Sequence, residues 1–295
     1  SRTVQEIQTA NLYANYNKTI DEAHNFALTA GAFYNTRFQY SLAASRQDLL
    51  SEDLNDFNLA KSETMSISGG RSRCINQGLF YRAAYDYKGI YLMEFNGRYD
   101  GSSRFPKGIR YGFFPSVAVG YNMSKEPWWR KALPWWSTMK VRYSHGTVGS
   151  DNTTANWLYL TYWSNNGSAI TEGAAPNENA RWETAVKRDL GFEMGWLDDR
   201  LTLNVDFYNE DRRDILTSPI VTPFVATSYK DINAGAIKKH GVELEVRYNH
   251  VFANSLAMEV GAIFGVSENR ITIYEDLPYA KEYQKQTGTQ YGAMR

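Results

Sequence analysis

Residues 186–212 hold two runs of about a dozen residues that meet at Leu197-Asp198-Asp199-Arg200. Before that junction Leu190, Phe192, Met194 and Trp196 alternate with Asp189, Gly191, Glu193 and Gly195. After it Leu201, Leu203, Val205 and Phe207 alternate with Thr202, Asn204, Asp206 and Tyr208. A period of two sends every second side chain to the same face of a strand, whereas a helix would need a period of 3.6. The segment therefore reads as a β-hairpin with one apolar and one polar face. Its strands are long for a soluble protein.

The same unit recurs along the chain. Strands are expected over residues 11–19, 25–37, 79–86, 91–100, 110–123 and 137–148, then the two arms of the hairpin, then 242–248 and 256–264. In the ninth, Val242, Leu244, Val246 and Tyr248 oppose Glu243, Glu245 and Arg247. The connections after the odd strands are short, apart from a modest 124–136 segment. Those after the even strands tend to be long, as at 38–75 and 149–181. Short turns thus collect at one end of a sheet and long loops at the other. The acids of 38–75 (Asp48, Glu52, Asp53, Asp56, Glu63) lack the spacing of a calcium loop and read as a solvated surface loop.

Composition narrows the classes. Lys+Arg and Asp+Glu are both 32, so net charge is zero, which argues against nucleic acid as a partner. Mean hydropathy is −0.51 and no run of 18 apolar residues occurs, which excludes transmembrane helices. A membrane barrel is not excluded, because alternating strands average to mild hydropathy. Cys74 is the single cysteine and is expected to be a buried or half-buried thiol, with no disulfide and no cysteine metal site. The chain opens and stops in mid-pattern and reads as a piece of a longer polypeptide.

A β-sandwich would also alternate. Three features favour a membrane barrel. The strands run ten to fourteen residues against the nine to eleven or so that a tilted membrane strand needs. Trp196, Tyr121, Tyr143 and Tyr248 stand near the ends of the apolar faces, as an interfacial girdle would. The loop asymmetry is that of an outer-membrane barrel. Aromatic residues make up 15% of the chain, with 21 Tyr and 8 Trp, enough to furnish such girdles.

Residues 98–126 carry a resemblance. Asp100-Gly101-Ser102-Ser103-Arg104-Phe105 and Phe114-Pro115-Ser116-Val117 resemble the motifs of SusC/RagA-like TonB-dependent transporters of Bacteroidetes, with Tyr121 in place of a usual Trp. The segments 139–149, 177–184 and 191–216 are similar to further family motifs, as are Asn233, Gly235, Gly241, Val242 and Glu243. The resemblance implies an all-β, transmembrane, antiparallel up-and-down β-barrel of 22 strands. Residues 1–295 would supply about ten of these, with the plug domain, its TonB box and the C-terminal strands lying outside the sequence. It further implies a SusD-like surface lipoprotein and TonB as partners, outer-membrane lipid around the barrel, and a glycan or peptide as substrate. No cofactor is implied.

The loop 149–181 supplies the candidate substrate-binding residues Trp157, Tyr159, Tyr162, Trp163 and Asn165, beside Asn156 and Asn166. Aromatic faces stack on sugar rings or peptide side chains, and amides orient them. The same aromatics could equally form the loop's own small core or meet a lipoprotein. Trp128, Trp129, Trp135 and Trp136 read as interface anchors at the short-turn end. Arg98, Asp100, Lys140, Arg142, Glu193, Asp206, Glu243, Glu245 and Arg247 read as lumen-facing and mutually paired. His24, His145, His240 and His250 fall on separate expected strands without metal spacing, and no nucleophile elbow or phosphate loop occurs, so no enzyme is expected. The expected function is energy-coupled nutrient import. The alternatives are a non-transporting outer-membrane barrel acting as anchor or adhesin, and a soluble carbohydrate-binding β-protein.

Overall fold

The computed structural model describes residues 1–48, 56–151, 156–165, 167–221, 227–253 and 255–292. Ten strands form one antiparallel sheet: β1 (Arg2–Ile20), β2 (His24–Ser45), β3 (Ser66–Tyr87), β4 (Tyr91–Ser102), β5 (Tyr111–Asn122), β6 (Trp136–Ser150), β9 (Glu183–Trp196), β10 (Leu201–Thr217), β11 (Ile232–Val251) and β12 (Ala257–Ile273). Each pairs with the next in the chain, and β6 pairs with β9 across the separate hairpin of β7 (Trp163–Asn165) and β8 (Ile170–Glu172). The sheet is an up-and-down meander that does not close, with β1 and β12 as its edges.

In the 186–212 hairpin Trp196 pairs with Leu201, Met194 with Leu203 and Phe192 with Val205, so the apolar sets of both arms share a face. The turn is tight because Leu197, Asp198 and Asp199 all take left-handed backbone, with φ of 57°, 57° and 59°. The apolar face continues across the sheet through the pairs Met93–Val119 and Phe95–Val117. Two stacked tyrosine pairs border it, Tyr91 on Tyr121 at 5.1 Å and Tyr99 on Tyr111 at 5.2 Å. Eight residues separate Tyr91 from Tyr99 on β4, which at ~3.3 Å per residue and a tilt of ~40° spans about 20 Å, near the height of a barrel's lipid-facing band.

At the short-turn end a bulge between Trp136 and Thr138 adds a residue to β6, so Trp136 stays on the apolar face and meets Trp196 at 5.5 Å. The connection before it carries a short helix, α1 (Pro127–Ala132), which the sequence periodicity did not announce because six residues show no period. Trp129 is buried there, and its Nε1 donates to the Trp136 carbonyl at 3.2 Å, while Trp128 and Trp135 stay exposed.

The strands outrun the sequence expectation at the long-loop end. Both ends of the polar stretch 38–75, expected as a loop, are strand: β2 runs to Ser45 and pairs with β3 back to Ser66. Main-chain pairing needs no apolar side chains, so the ladder continues where the alternation fades. The acids Glu52 and Asp53 lie outside the described residues. His240 and His250 are both on β11, not on separate strands as expected. Cys74 is half-buried.

Candidate functional site

A single-layer sheet buries little, and the one cluster of buried side chains among the described residues lies at the long-loop end. Phe105 from the β4–β5 connection, Phe114 of β5, Leu158 and Ala180 of the 151–182 connection, and Trp182 pack together, with Leu216 against them. Trp182 lies 5.3 Å from the rings of both Phe105 and Phe114, and its Nε1 donates to the Arg110 carbonyl at 2.9 Å. A polar knot sits beside this core. The fully buried Ser102 hydroxyl and the Asn76 amide both donate to Asp151 Oδ2, at 2.7 and 2.8 Å, and Arg104 donates to the Asp151 carbonyl at 2.7 Å.

Two asparagines tie the loops to each other. Asn177 donates to the Asp231 carbonyl at 2.9 Å, and Asn233 donates to the carbonyls of Arg181 and Asp214 at 2.9 and 2.7 Å. Main-chain bonds join Ala175 to Ser228 and Lys230, so the described residues around Ala175 and Ser228–Lys230 are tied together. Ser102, Arg104, Phe105, Asn177, Trp182 and Asn233 all belong to the family-like motifs, and here they build the loop base. Asp151 and Lys230, which complete it, carry no signal in the sequence.

The five loop residues expected as one site are spread out. Trp157 and Tyr159 flank the buried Leu158 and are half-buried, with Trp157 in left-handed backbone at φ 56°. Tyr162 lies under the Lys230 ammonium, 4.2 Å from ring centre to Nζ, and Lys230 also donates to the Leu160 carbonyl. Burial pushes the Tyr162 phenol above its ordinary value, with Tyr159 adding to it, and burial lowers the Lys230 ammonium. Asn165 turns the β7–β8 hairpin by accepting from the Gly167 amide at 2.8 Å. Trp163 projects from that hairpin, 65% exposed, on the same face as Asn165, Ile170 and Glu172. Asn156 is half-buried and its carbonyl accepts from the Tyr162 hydroxyl at 3.3 Å, while Asn166 lies outside the described residues.

The nine charged residues expected to line a lumen share the polar face of the sheet, by register with one another from β4 to β11. Lys140 meets Glu193 at 3.1 Å, Arg142 meets Asp189 at 2.9 Å and Glu193 at 3.3 Å, and Arg247 meets Glu245 at 2.5 Å. Arg98 and Asp100 pair at 3.0 Å. Asp206 bonds Arg142, and Glu243 stands opposite Asp206 in the β10–β11 register. Among the described residues no group of three or more His, Cys, Asp or Glu side chains is placed to hold a metal ion.

Comparison with known proteins places this geometry. The sequence profile of the family described as "TonB dependent receptor-like, beta-barrel" matches residues 2–293. The chain is 28% identical over 274 residues to TonB-dependent receptor P3 of Formosa agariphila, covering 90% of this chain and 27% of that protein. It is 30% identical over 207 residues to TonB-dependent receptor SusC of Bacteroides thetaiotaomicron, covering 65% of this chain and 20% of that protein. Its fold superposes on a chain of the RagAB peptide importer in the closed-closed state with a TM-score of 0.82 at 22% identity, covering 94% of this chain and 32% of that one. The chain thus spans about a quarter of the length of these curated relatives.

Proposed function

This chain belongs to the TonB-dependent receptor-like β-barrel family, whose barrels sit in the outer membrane, and on that premise we propose that it is the barrel portion of an energy-coupled importer of oligosaccharides or peptides. The observation that carries the reading is the two-sidedness of the sheet. One face is an apolar band bordered by tyrosines, and the other bears paired charges from Lys140, Arg142, Glu193 and Asp206 that suit a hydrated interior. Apolar-out, charged-in is the arrangement of a channel wall, and an adhesin or anchor gains nothing from a charged, hydrated inner face.

The substrate would be taken first by the long loops, with the exposed Trp163 as their foremost aromatic and Trp157 and Tyr159 nearer the loop core. A SusD-like lipoprotein would close over these loops, and TonB, acting through a plug domain, would open the path along the polar face. The chain's relatives support both partners, since SusC and the RagAB importer are similar over most of its strands.

Deletion of the gene for the full-length protein tests the reading. Uptake of labelled oligosaccharides or peptides should fall for one of these classes, and an uncoupler of the proton gradient should abolish the same uptake in the parent strain. Unchanged uptake of both classes, with altered surface attachment, would instead establish the anchoring role.

A further inference from the structure

Aromatic rings interrupt the polar pattern of the inner face. Tyr13, Gly31, Phe80 and Arg98 stand in one cross-strand row from β1 to β4. In the next inward-facing row, toward the long-loop end, Phe33 stands opposite Gly78, which in turn stands opposite Asp100. Each phenyl leans over the glycine facing it. A Cβ on Gly31 would stand 2.5 Å from Phe80 Cζ, and one on Gly78 would stand 2.7 Å from Phe33 Cε1. β2 and β3 each have both neighbours in place, so the two phenyls do not depend on strands outside the chain.

Covering a bare glycine accounts for one face of each phenyl. The other faces are turned to the lumen. The Arg98 guanidinium lies 4.9 Å from the centre of the Phe33 ring, while Phe80 stays partly exposed and Tyr13 is 61% exposed. Apolar rings left in water carry a free-energy cost that an apolar partner recovers. Hydrogen-bond donors stand beside them. Arg98 gives Nε and Nη2 to Asp100, at 3.0 and 3.2 Å, and keeps Nη1 for another acceptor. Asn15, next to Tyr13 on the same face, accepts from the Thr29 hydroxyl at 2.8 Å and keeps its amide hydrogens. Toward the short-turn end the wall hollows into a depression of about 600 Å³, lined by Asn17, Arg82, Ala84 and Glu94 among others. That volume is within the range of small-ligand sites.

We propose that Phe80, Tyr13 and Arg98 form a stacking subsite for an uncharged sugar ring on the lumen wall, so that the imported class is an oligosaccharide. The C–H face of the sugar lies on Phe80, with Tyr13 beside it, and its hydroxyls accept from Arg98 Nη1 and the Asn15 amide. The next sugar unit enters the depression below. A peptide is served worse. β2, β3 and β4 are paired on both sides and offer no main-chain edge, and Asp100 neutralises Arg98, which leaves no unbalanced charge for a terminus or a charged side chain. The site rests on the import reading for its ligand being the cargo.

Calorimetric titration of the detergent-solubilised full-length protein tests it, with uncharged hexasaccharides of glucan, mannan, xylan and galactan and with a pool of random hexapeptides. At least one hexasaccharide should bind, and more tightly than the peptide pool. Phe80→Leu keeps an apolar cover on Gly31 but loses the ring, and should weaken that binding about threefold to tenfold, the range of one aromatic contact. Phe80→Tyr, which keeps a ring face, should bind more tightly than Phe80→Leu. Phe95→Leu, the same change on the lipid side, should bind as the parent does. Equal affinity in Phe80→Leu and parent would reduce the ring to a cover for Gly31 and overturn the assignment, as would binding of the peptides alone or of nothing in the panel. Binding is read without transport, so the two failures are distinguishable. A saccharide bound but not taken up would sink the import reading, and uptake of peptides with no saccharide bound would sink this site alone.

Discussion

Arg142 on β6 reaches across β9 to bond the carboxylate of Asp206 on β10, and it can do so because the residue between them is Gly191. A Cβ on Gly191 would stand 2.6 Å from the guanidinium carbon and 2.5 Å from Asp206 Oδ1. Gly191→Ala should therefore push the guanidinium aside and leave Asp206 facing Glu243 with its cation displaced. Arg142 is partly open to water, so the expected loss is moderate, about 1–2 kcal/mol of unfolding free energy. Urea unfolding of the full-length protein in lipid vesicles reads it. An unchanged midpoint would mean the bond across Gly191 is energetically silent.

Trp182 holds the loop base, and truncating it should uncouple loops from barrel. Trp182→Ala removes the ring that both Phe105 and Phe114 pack on. Large-to-small changes of this kind cost about 3–5 kcal/mol, and the loss should fall on the 151–182 and 218–231 connections while β9 and β10 remain paired. Limited proteolysis should cut within those connections in the variant and spare the strands. Trp182→Phe keeps a ring but loses the bond to the Arg110 carbonyl, at about 1 kcal/mol, and should show an intermediate rate.

The strands were legible because their physics is local. Alternation at Leu190–Trp196 and Leu201–Phe207 is enforced by a membrane on one side and water on the other, and it sets both the register and the faces. The loop base was not legible as such. Phe105, Phe114, Leu158 and Trp182 come from separate stretches without a shared period, and only the barrel's register brings them together. The motifs that carried the resemblance mark these contacts, yet nothing in them distinguishes a packing residue from a ligand contact. Asn165 shows the same limit: an amide beside aromatics reads as a ligand donor, and here its oxygen is spent on the Gly167 amide. The nearness of Lys238 to Asp211 was not legible either, since Lys238 precedes the expected 242–248 strand and only the β10–β11 register sets the two opposite each other.

The segment after β12 should loosen in acid. Burial alone pushes the Asp276 carboxyl up, but the amides of Gln286 and Thr287, donating to it at 2.6 and 3.0 Å, hold it net below its ordinary 3.8. A carboxylate whose folded value is depressed stabilises the fold above its unfolded value, and that stabilisation is lost as pH falls through the folded one. Pepsin cleavage near Tyr279 and Tyr283, normalised to the free peptide, should accelerate as pH falls below about 4. In Asp276→Asn the segment should be cut faster at every pH, and this acid-induced acceleration should vanish. A cleavage rate in the parent with no pH dependence beyond that of the free peptide would deny Asp276 this role.

Trp163 is the loop aromatic best placed to meet a ligand, and its contribution can be separated from those of its neighbours. It shares a hairpin face with Ile170 and Glu172, and both Trp163 and Ile170 are about two-thirds exposed. Tyr162, one residue earlier, is already engaged by Lys230, and Trp157 and Tyr159 border the loop core. Trp163→Ala should leave barrel assembly intact, because the side chain supports nothing beneath it, and should lower uptake about threefold to tenfold, the range of one aromatic contact. Trp157→Ala, in contrast, should act on loop proteolysis as well as uptake, since it disturbs the packing around Leu158. Uptake unchanged by Trp163→Ala, with lipoprotein association weakened, would make the hairpin a docking surface for the lid and not a contact for the substrate.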